Sequence, residues 1–268
     1  MTSVRILVAE DDPISRKIAL AQLAKLGYSA DSVTDGNEAI AAAERQAYDL
    51  ILMDCQLPEL DGLEATRQIR RREHEGHHPI IVAVTSPSGS DTSECCLAAG
   101  MDYYLAKPVA TEQLELLIEQ WLGSVQRSAE PRRTAPSVER EGSEEYVAFD
   151  PASIDGLREE GDGLLDDLIG LYQVETPKQL ERLDQALAQD DLKTAERVAH
   201  ATKSTAGTFG AHRLQTIALE LETALRNGEK VEPRKIATFR AECEKVGRAL
   251  LYQILQEPRA GAQAMNGR

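Results

Sequence analysis

Five short β-rich runs, each followed by a helical period, occupy residues 4–121 and constrain this chain more than any other feature. The runs lie at 4–9, 29–33, 49–54, 80–84 and 102–105. After them, apolar residues recur at helical spacing near 13–26, 36–46, 62–72, 90–99 and 111–121. Such alternation predicts a doubly wound, five-stranded parallel sheet with helices on both faces. Helix starts are marked. Asp12-Pro13 offers an N-cap with proline at the first helical position, Asp35-Gly36 a second start, and Asp61-Gly62-Leu63-Glu64 a capping-box pattern.

In sheets of this kind ligands bind beyond the carboxyl ends of the strands, where the strand order reverses. The residues at those ends are chemically pointed. Asp54 closes the apolar run Tyr48-Asp49-Leu50-Ile51-Leu52-Met53, just before a turn with Pro58 and Gly62. A bare carboxylate at the end of a buried strand marks a site rather than a core. Glu10-Asp11 ends the first run, Thr85 the fourth, and Lys107-Pro108 the fifth. These groups suit the making and holding of an aspartyl phosphate, whose loose, in-line transition state needs its phosphoryl oxygens neutralised. Hard oxygen donors suit Mg2+ (or Mn2+): Asp11 and Asp54 directly, Glu10 beside them, and a backbone carbonyl near Gln56. Lys107 supplies a point charge to one phosphoryl oxygen. Thr85 supplies a hydroxyl to another and, by moving, reports the new charge.

Beyond residue 122 the pattern changes. Residues 123–149 are polar, rich in Ser, Arg, Glu and Pro, and read as a flexible linker. Asp150-Pro151 is a further cap-and-proline pair, and 150–257 shows helical periods only. Leu164, Leu168, Leu171, Leu180, Leu183 and Leu187 mark one long helix, which Pro177 is expected to kink or restart. Stripes through Leu192–Phe209, Leu214–Leu225 and Ile236–Leu250 mark three more, so the expectation is a four-helix bundle. Residues 258–268 read as a disordered tail. The seam Ala195, Ala199, Thr202 and Ala206 is expected to be buried. That phase turns Lys193, Arg197, His200, Lys203, Ser204 and Gly207 to solvent. An exposed imidazole beside the small residues Ser204 and Gly207 is open to close approach by another protein, and Lys203 would steady an anionic phosphoryl group.

Composition removes several classes of function. With 45 acidic against 30 basic residues the net charge is −15, which argues against nucleic-acid binding. No apolar stretch approaches the roughly 20 residues of a membrane span, so no membrane insertion is expected. The chain opens without a basic-then-apolar signal, and a cytoplasmic location is expected. Cys55, Cys95, Cys96 and Cys243 have no C-x-x-C spacing and read as free thiols. Cys55 adjoins Asp54, which raises sensitivity to oxidation as a question; a small packed residue is the plainer reading. His74, His77 and His78 lie in a polar connection with no second cluster to complete a metal shell. His212 reads as structural.

The motifs that carry a resemblance are Ile6-Leu7-Val8-Ala9-Glu10-Asp11-Asp12-Pro13, Asp54-Cys55-Gln56-Leu57-Pro58-Glu59-Leu60-Asp61-Gly62, Val84-Thr85-Ser86 and Tyr104-Leu105-Ala106-Lys107-Pro108. Through them residues 1–122 resemble a response-regulator receiver domain of flavodoxin-like fold. The resemblance implies Asp54 as phosphoacceptor, Glu10 and Asp11 as the metal pair, Tyr104 as a rotating switch aromatic and a cis Lys107-Pro108 bond. Ser86-Pro87 departs from the usual pattern there. The segment Ala199-His200-Ala201-Thr202-Lys203-Ser204-Thr205-Ala206-Gly207, continuing to Leu214, resembles the histidine phosphotransfer (HPt) motif, with Thr202 and Ser204 where leucine and glycine are usual. It implies His200 as a second phosphoryl carrier. There is no Walker A pattern and no glycine-rich kinase loop. The expected role is therefore a phosphorelay intermediate that accepts and passes on phosphoryl groups. Its implied partners are a sensor or hybrid histidine kinase and a downstream response-regulator receiver domain. A different class of reading stays open: an interaction module, switched at Asp54, whose bundle docks partners without carrying phosphate.

Overall fold

The computed structural model describes residues 4–73, 77–85, 93–122 and 149–256. Residues 123–148 of the expected linker, the tail, His74, Ser86-Pro87 and the start of the helix expected at 90 lie outside these residues; Phe149, expected to close the linker, is instead buried in a hydrophobic core. The chain divides into two compact units, one α/β and one helical.

The first ten elements alternate as expected. They are β1 (Ile6–Ala9), α1 (Pro13–Lys25), β2 (Ala30–Val33), α2 (Gly36–Arg45), β3 (Leu50–Met53), α3 (Gly62–Arg71), β4 (Ile80–Thr85), α4 (Ser93–Ala99), β5 (Tyr103–Ala106) and α5 (Thr111–Leu122). The five strands pair in parallel in the order β2-β1-β3-β4-β5. The central strands β1 and β3 are buried along their whole length, whereas the edge strands β2 and β5 are partly exposed. This is what a sheet covered on both faces requires. The order reverses between β1 and β3, where Ala9 pairs with Met53. Glu10 and Asp54, one residue further on, therefore leave the sheet side by side at the switch point.

The predicted caps form. Asp12 Oδ2 accepts from the Ser15 N–H at 2.8 Å, Asp35 Oδ1 from that of Glu38 at 2.8 Å, and Asp61 Oδ1 from that of Glu64 at 2.8 Å. At Asp35, Glu38 Oε2 reaches back past the cap to accept from the Thr34 N–H at 2.8 Å. Glu64 departs from the box pattern: its oxygens take Arg67 at 3.2 Å and Gln68 at 3.4 Å.

The helical unit comprises α6 (Pro151–Glu160), α7 (Leu164–Ala188), α8 (Leu192–Thr208), α9 (His212–Arg226) and α10 (Pro233–Gln256). The four long helices match the four predicted stripes. The short α6 is additional, capped by Asp150, which accepts from the Ala152 N–H at 3.1 Å. Pro177 neither breaks nor restarts α7, which runs on for 25 residues. Leu168, Ile169 and Tyr172 before the proline and Leu180 and Leu183 after it are buried in one core. That shared burial outweighs the roughly 3 kcal/mol a helix-interior proline costs. Inside the core the Tyr172 ring meets Phe209 edge-on at 5.8 Å, and its hydroxyl donates to the Cys243 carbonyl at 3.0 Å. No helix among the described residues is long and apolar enough to cross a membrane.

Candidate functional sites

The first site is assembled by three parallel strands. Glu10 and Asp11 follow β1, Asp54 follows β3, and Lys107 follows β5. One carboxylate oxygen from each of Glu10, Asp11 and Asp54 lies within 4.8 Å of the others. Lys107 Nζ bridges two of them, 2.5 Å from Glu10 Oε2 and 2.6 Å from Asp54 Oδ2. Burial works against the ammonium, but the charges and hydrogen bonds of Asp54 and Glu10 outweigh it and hold its pKa above the ordinary lysine value. The Lys107-Pro108 bond is cis, as expected. Thr85, the last residue of β4, is fully buried, and its hydroxyl has no hydrogen-bond partner among the described residues. Leaving such a group unsatisfied costs about 1–3 kcal/mol.

The loop after β3 is built to hold Asp54 still. Asp54 donates its N–H to the Ala9 carbonyl at 2.9 Å, and its Oδ1 accepts from the Gln56 N–H at 2.9 Å. Gly62 is needed because a Cβ there would lie 2.0 Å from the Asp54 carbonyl oxygen. Glu59 takes a positive φ of 60° in a tight turn closed by the Leu60 N–H on the Pro58 carbonyl at 2.6 Å. Tyr104, on β5, is half-buried and packs on the α/β core.

This donor set fits two kinds of ligand at once. Three clustered carboxylates match the hard, oxygen-seeking chemistry of a small divalent cation. The Lys107 ammonium and the orphan Thr85 hydroxyl match the oxygens of an anion. The two described histidines of the polar connection, His77 and His78, are engaged otherwise. His77 Nε2 lies 2.8 Å from the Tyr48 carbonyl, and His78 Nδ1 lies 2.8 Å from Glu73.

The second site corrects the predicted helix phase. Of the face expected in solvent only Lys193 is exposed; His200 and Lys203 are buried, and Ser204 and Gly207 are half-buried. Glu222, fully buried, sets Oε1 2.9 Å from His200 Nδ1 and Oε2 2.6 Å from Lys203 Nζ. Gln215 covers Gly207, where an added Cβ would lie 2.8 Å from the Gln215 Nε2. Thr202, placed on the predicted seam, is half-buried and satisfies its hydroxyl on the Val198 carbonyl at 2.9 Å.

Sequence reasoning missed Glu222. A signal for it exists: it stands at i+4 from Ala218 and i−3 from Leu225, within a buried apolar stripe. Burial pushes its carboxyl up, but hydrogen bonds and charge from His200 and Lys203 bring it down to about 2. An ionised carboxylate only accepts, so His200 Nδ1 carries the hydrogen between them. The ring's orientation is then fixed, with Nε2 at its other edge. Nε2 is buried and has no hydrogen-bond partner among the described residues. Arg226 completes the cluster, 2.6 Å from Glu222 Oε1 and 2.7 Å from Glu196 Oε1.

Comparison with known proteins addresses both units. A family model for the response regulator receiver domain matches residues 6–119, and one for the Hpt domain matches residues 167–249. The chain is 36% identical over 148 residues to a probable histidine kinase 1 of Oryza sativa subsp. indica, covering 44% of this chain and 15% of that protein. It is 28% identical over 229 residues to the sensor protein GacS of Pseudomonas syringae pv. syringae, covering 83% of this chain and 24% of that protein. The chain thus spans a minor part of the length of either relative. Among solved structures, the receiver domain of a sensor histidine kinase from Pseudomonas aeruginosa, with a magnesium ion in its active-site cleft, is 45% identical. That match covers 46% of this chain and 100% of the other, with a TM-score of 0.43. The two family models thus find, in chain order, a response regulator receiver domain and then an Hpt domain.

Proposed function

We propose that the chain is a phosphorelay intermediate in which Asp54 and His200 both carry phosphoryl groups. The receiver domain spans 1–122 and the phosphotransfer bundle 150–257. The donor to Asp54 is a sensor or hybrid histidine kinase, and His200 exchanges with the aspartate of a receiver domain. We place this exchange in the cytoplasm, in keeping with four free cysteines.

The observation that carries this reading is the convergence of Glu10, Asp11, Asp54 and Lys107 at the ends of β1, β3 and β5. An Asp54 carboxylate oxygen attacks the phosphorus, and the bond from phosphorus to the donor histidine nitrogen breaks in line. Lys107 takes one equatorial oxygen and the Thr85 hydroxyl another. A divalent cation, Mg2+ or Mn2+, held by Glu10, Asp11, Asp54 and the Gln56 carbonyl, would supply the remaining charge neutralisation. Drawn toward the phosphoryl group, Thr85 opens room into which Tyr104 turns. At the second site His200 Nε2 attacks the phosphorus of a receiver acyl phosphate. Glu222 balances the positive charge that develops on the ring, Lys203 faces the incoming oxygens, and the small Ser204 keeps the approach low.

The test loads the purified full chain with labelled acetyl phosphate and magnesium, beside Asp54→Ala and His200→Gln variants. Label that is lost in Asp54→Ala and sensitive to hydroxylamine establishes the acyl phosphate. An acid-labile, hydroxylamine-resistant fraction lost in His200→Gln establishes the phosphohistidine, formed from Asp54 or from an added phosphorylated receiver. A His200→Gln protein that still transfers to and from receivers would leave the bundle as a docking module.

A further inference from the structure

Cys55 follows the phosphoacceptor Asp54 directly, and its sulfur faces a second one. Cys55 Sγ lies 3.6 Å from Cys96 Sγ, across 41 residues of chain. Both side chains are buried, at 2% and 0% exposure, in one core cluster that also holds Met53 and Leu57. Cys96 stands on α4, a seven-residue helix that packs on α3 and β5. The other two cysteines are placed differently. Cys95 is half-buried on the same helix, and Cys243 lies on α10, where burial pushes its thiol up to about 12.

We propose that Cys55 and Cys96 form a dithiol that a peroxide converts to a disulfide, and that this bond slows phosphorylation of Asp54. The two-electron oxidant is hydrogen peroxide. Cys96 Sγ attacks one peroxide oxygen, the O–O bond breaks, and the departing hydroxide leaves as water with the thiol proton. Cys55 Sγ then attacks the sulfenic sulfur. The S–S bond forms, the S–O bond breaks, and the second oxygen leaves as water with the Cys55 proton. Two thiols and one peroxide thus give one disulfide and two waters. Because both sulfurs are buried, peroxide reaches them through local opening of α4, which makes the reaction slow and selective.

Coupling to the site follows from the backbone. A disulfide needs the sulfurs about 2.05 Å apart, roughly 1.5 Å closer than they stand. Cys55 cannot yield independently of its neighbours: its carbonyl accepts from the Gly62 N–H at 3.0 Å, and the Gln56 N–H holds the Asp54 carboxylate at 2.9 Å. Drawing Cys55 toward α4 therefore displaces the 54–56 segment and takes the Asp54 carboxylate out of line with Lys107. A misplacement of about 1 Å at a reacting centre costs up to 100-fold in rate.

This inference rests on Asp54 as phosphoacceptor, and its test separates the two. The full chain is treated with millimolar hydrogen peroxide, mapped by mass spectrometry without reduction, and labelled with acetyl phosphate and magnesium before and after dithiothreitol. The expected result is a Cys55–Cys96 linked peptide and an initial labelling rate at least about tenfold lower, restored by the reductant. Cys96→Ala is expected to label normally and lose its peroxide sensitivity, while Cys95→Ser and Cys243→Ser keep it. A map showing Cys55 and Cys96 still free, or a linked protein that labels as fast as the dithiol form, overturns the inference. Failure of the reduced protein to label at Asp54 overturns the phosphoacceptor reading instead.

Discussion

Glu222 is the residue whose removal tells most about the second site. It meets three cationic or donor side chains: His200, Lys203 and Arg226. Glu222→Gln keeps the shape but removes the charge that orients the imidazole and balances it when Nε2 becomes bonded. A hydrogen bond to a charged group is worth about 1.5–3 kcal/mol, so transfer through His200 is expected to slow roughly 10- to 100-fold. Stopped-flow transfer from a phosphorylated receiver measures it; an unchanged rate would reduce Glu222 to a packing role. The same residue sets an acid limit. Its folded-state pKa lies near 2 against an ordinary 4.5, so its contribution to stability is complete above about pH 4.5 and is lost as pH falls toward 2. Urea unfolding at stepped pH is expected to show wild type more stable than Glu222→Gln near neutrality, with the gap closing below pH 4.5.

The elements show what an apolar pattern reveals and what it leaves out. All five strands and the long helices were legible, because strands buried on both faces and helices buried on one stripe leave different periods. The caps at Asp12, Asp35, Asp61 and Asp150 were legible because a side-chain oxygen before a helix has one main use. The uninterrupted α7 was not, since proline's local cost is visible in sequence while the compensating contacts are distant in sequence. That difference is measurable. If the core alone keeps α7 continuous at Pro177, then Pro177→Ala removes a local penalty and loses little packing. It is expected to stabilise the helical unit by about 1–3 kcal/mol, read as a raised urea midpoint. A lower midpoint would mean that the ring itself packs something essential. Glu222 escaped for a related reason: one acid among Glu220 and Glu222 looks solvated until the partner helix is known.

For the molecule as a whole, strand-end chemistry was legible and helix-face chemistry was not. Strand ends of a parallel sheet converge by topology, so Glu10, Asp54, Thr85 and Lys107 needed no tertiary contact to be grouped. The surroundings of His200 depend on which neighbour covers it, and that is settled by packing. Two cores also imply two separable stabilities. Ile51, fully buried in the α/β core, is expected to cost about 2–5 kcal/mol as Ile51→Ala. Amide exchange should then quicken across β1, β3 and β4 while α7–α10 keep their protection; a uniform loss would count against two units. The bridge made by Lys107 has a last consequence. One ammonium already spans Glu10 and Asp54, so a phosphoryl oxygen can claim it only by loosening a grip it now has. In the proposed reaction the site would work as a handover rather than an addition. Whatever lets go of the lysine tugs on the end of β5, three residues from Tyr104, and chemistry at one atom becomes a pull on a strand.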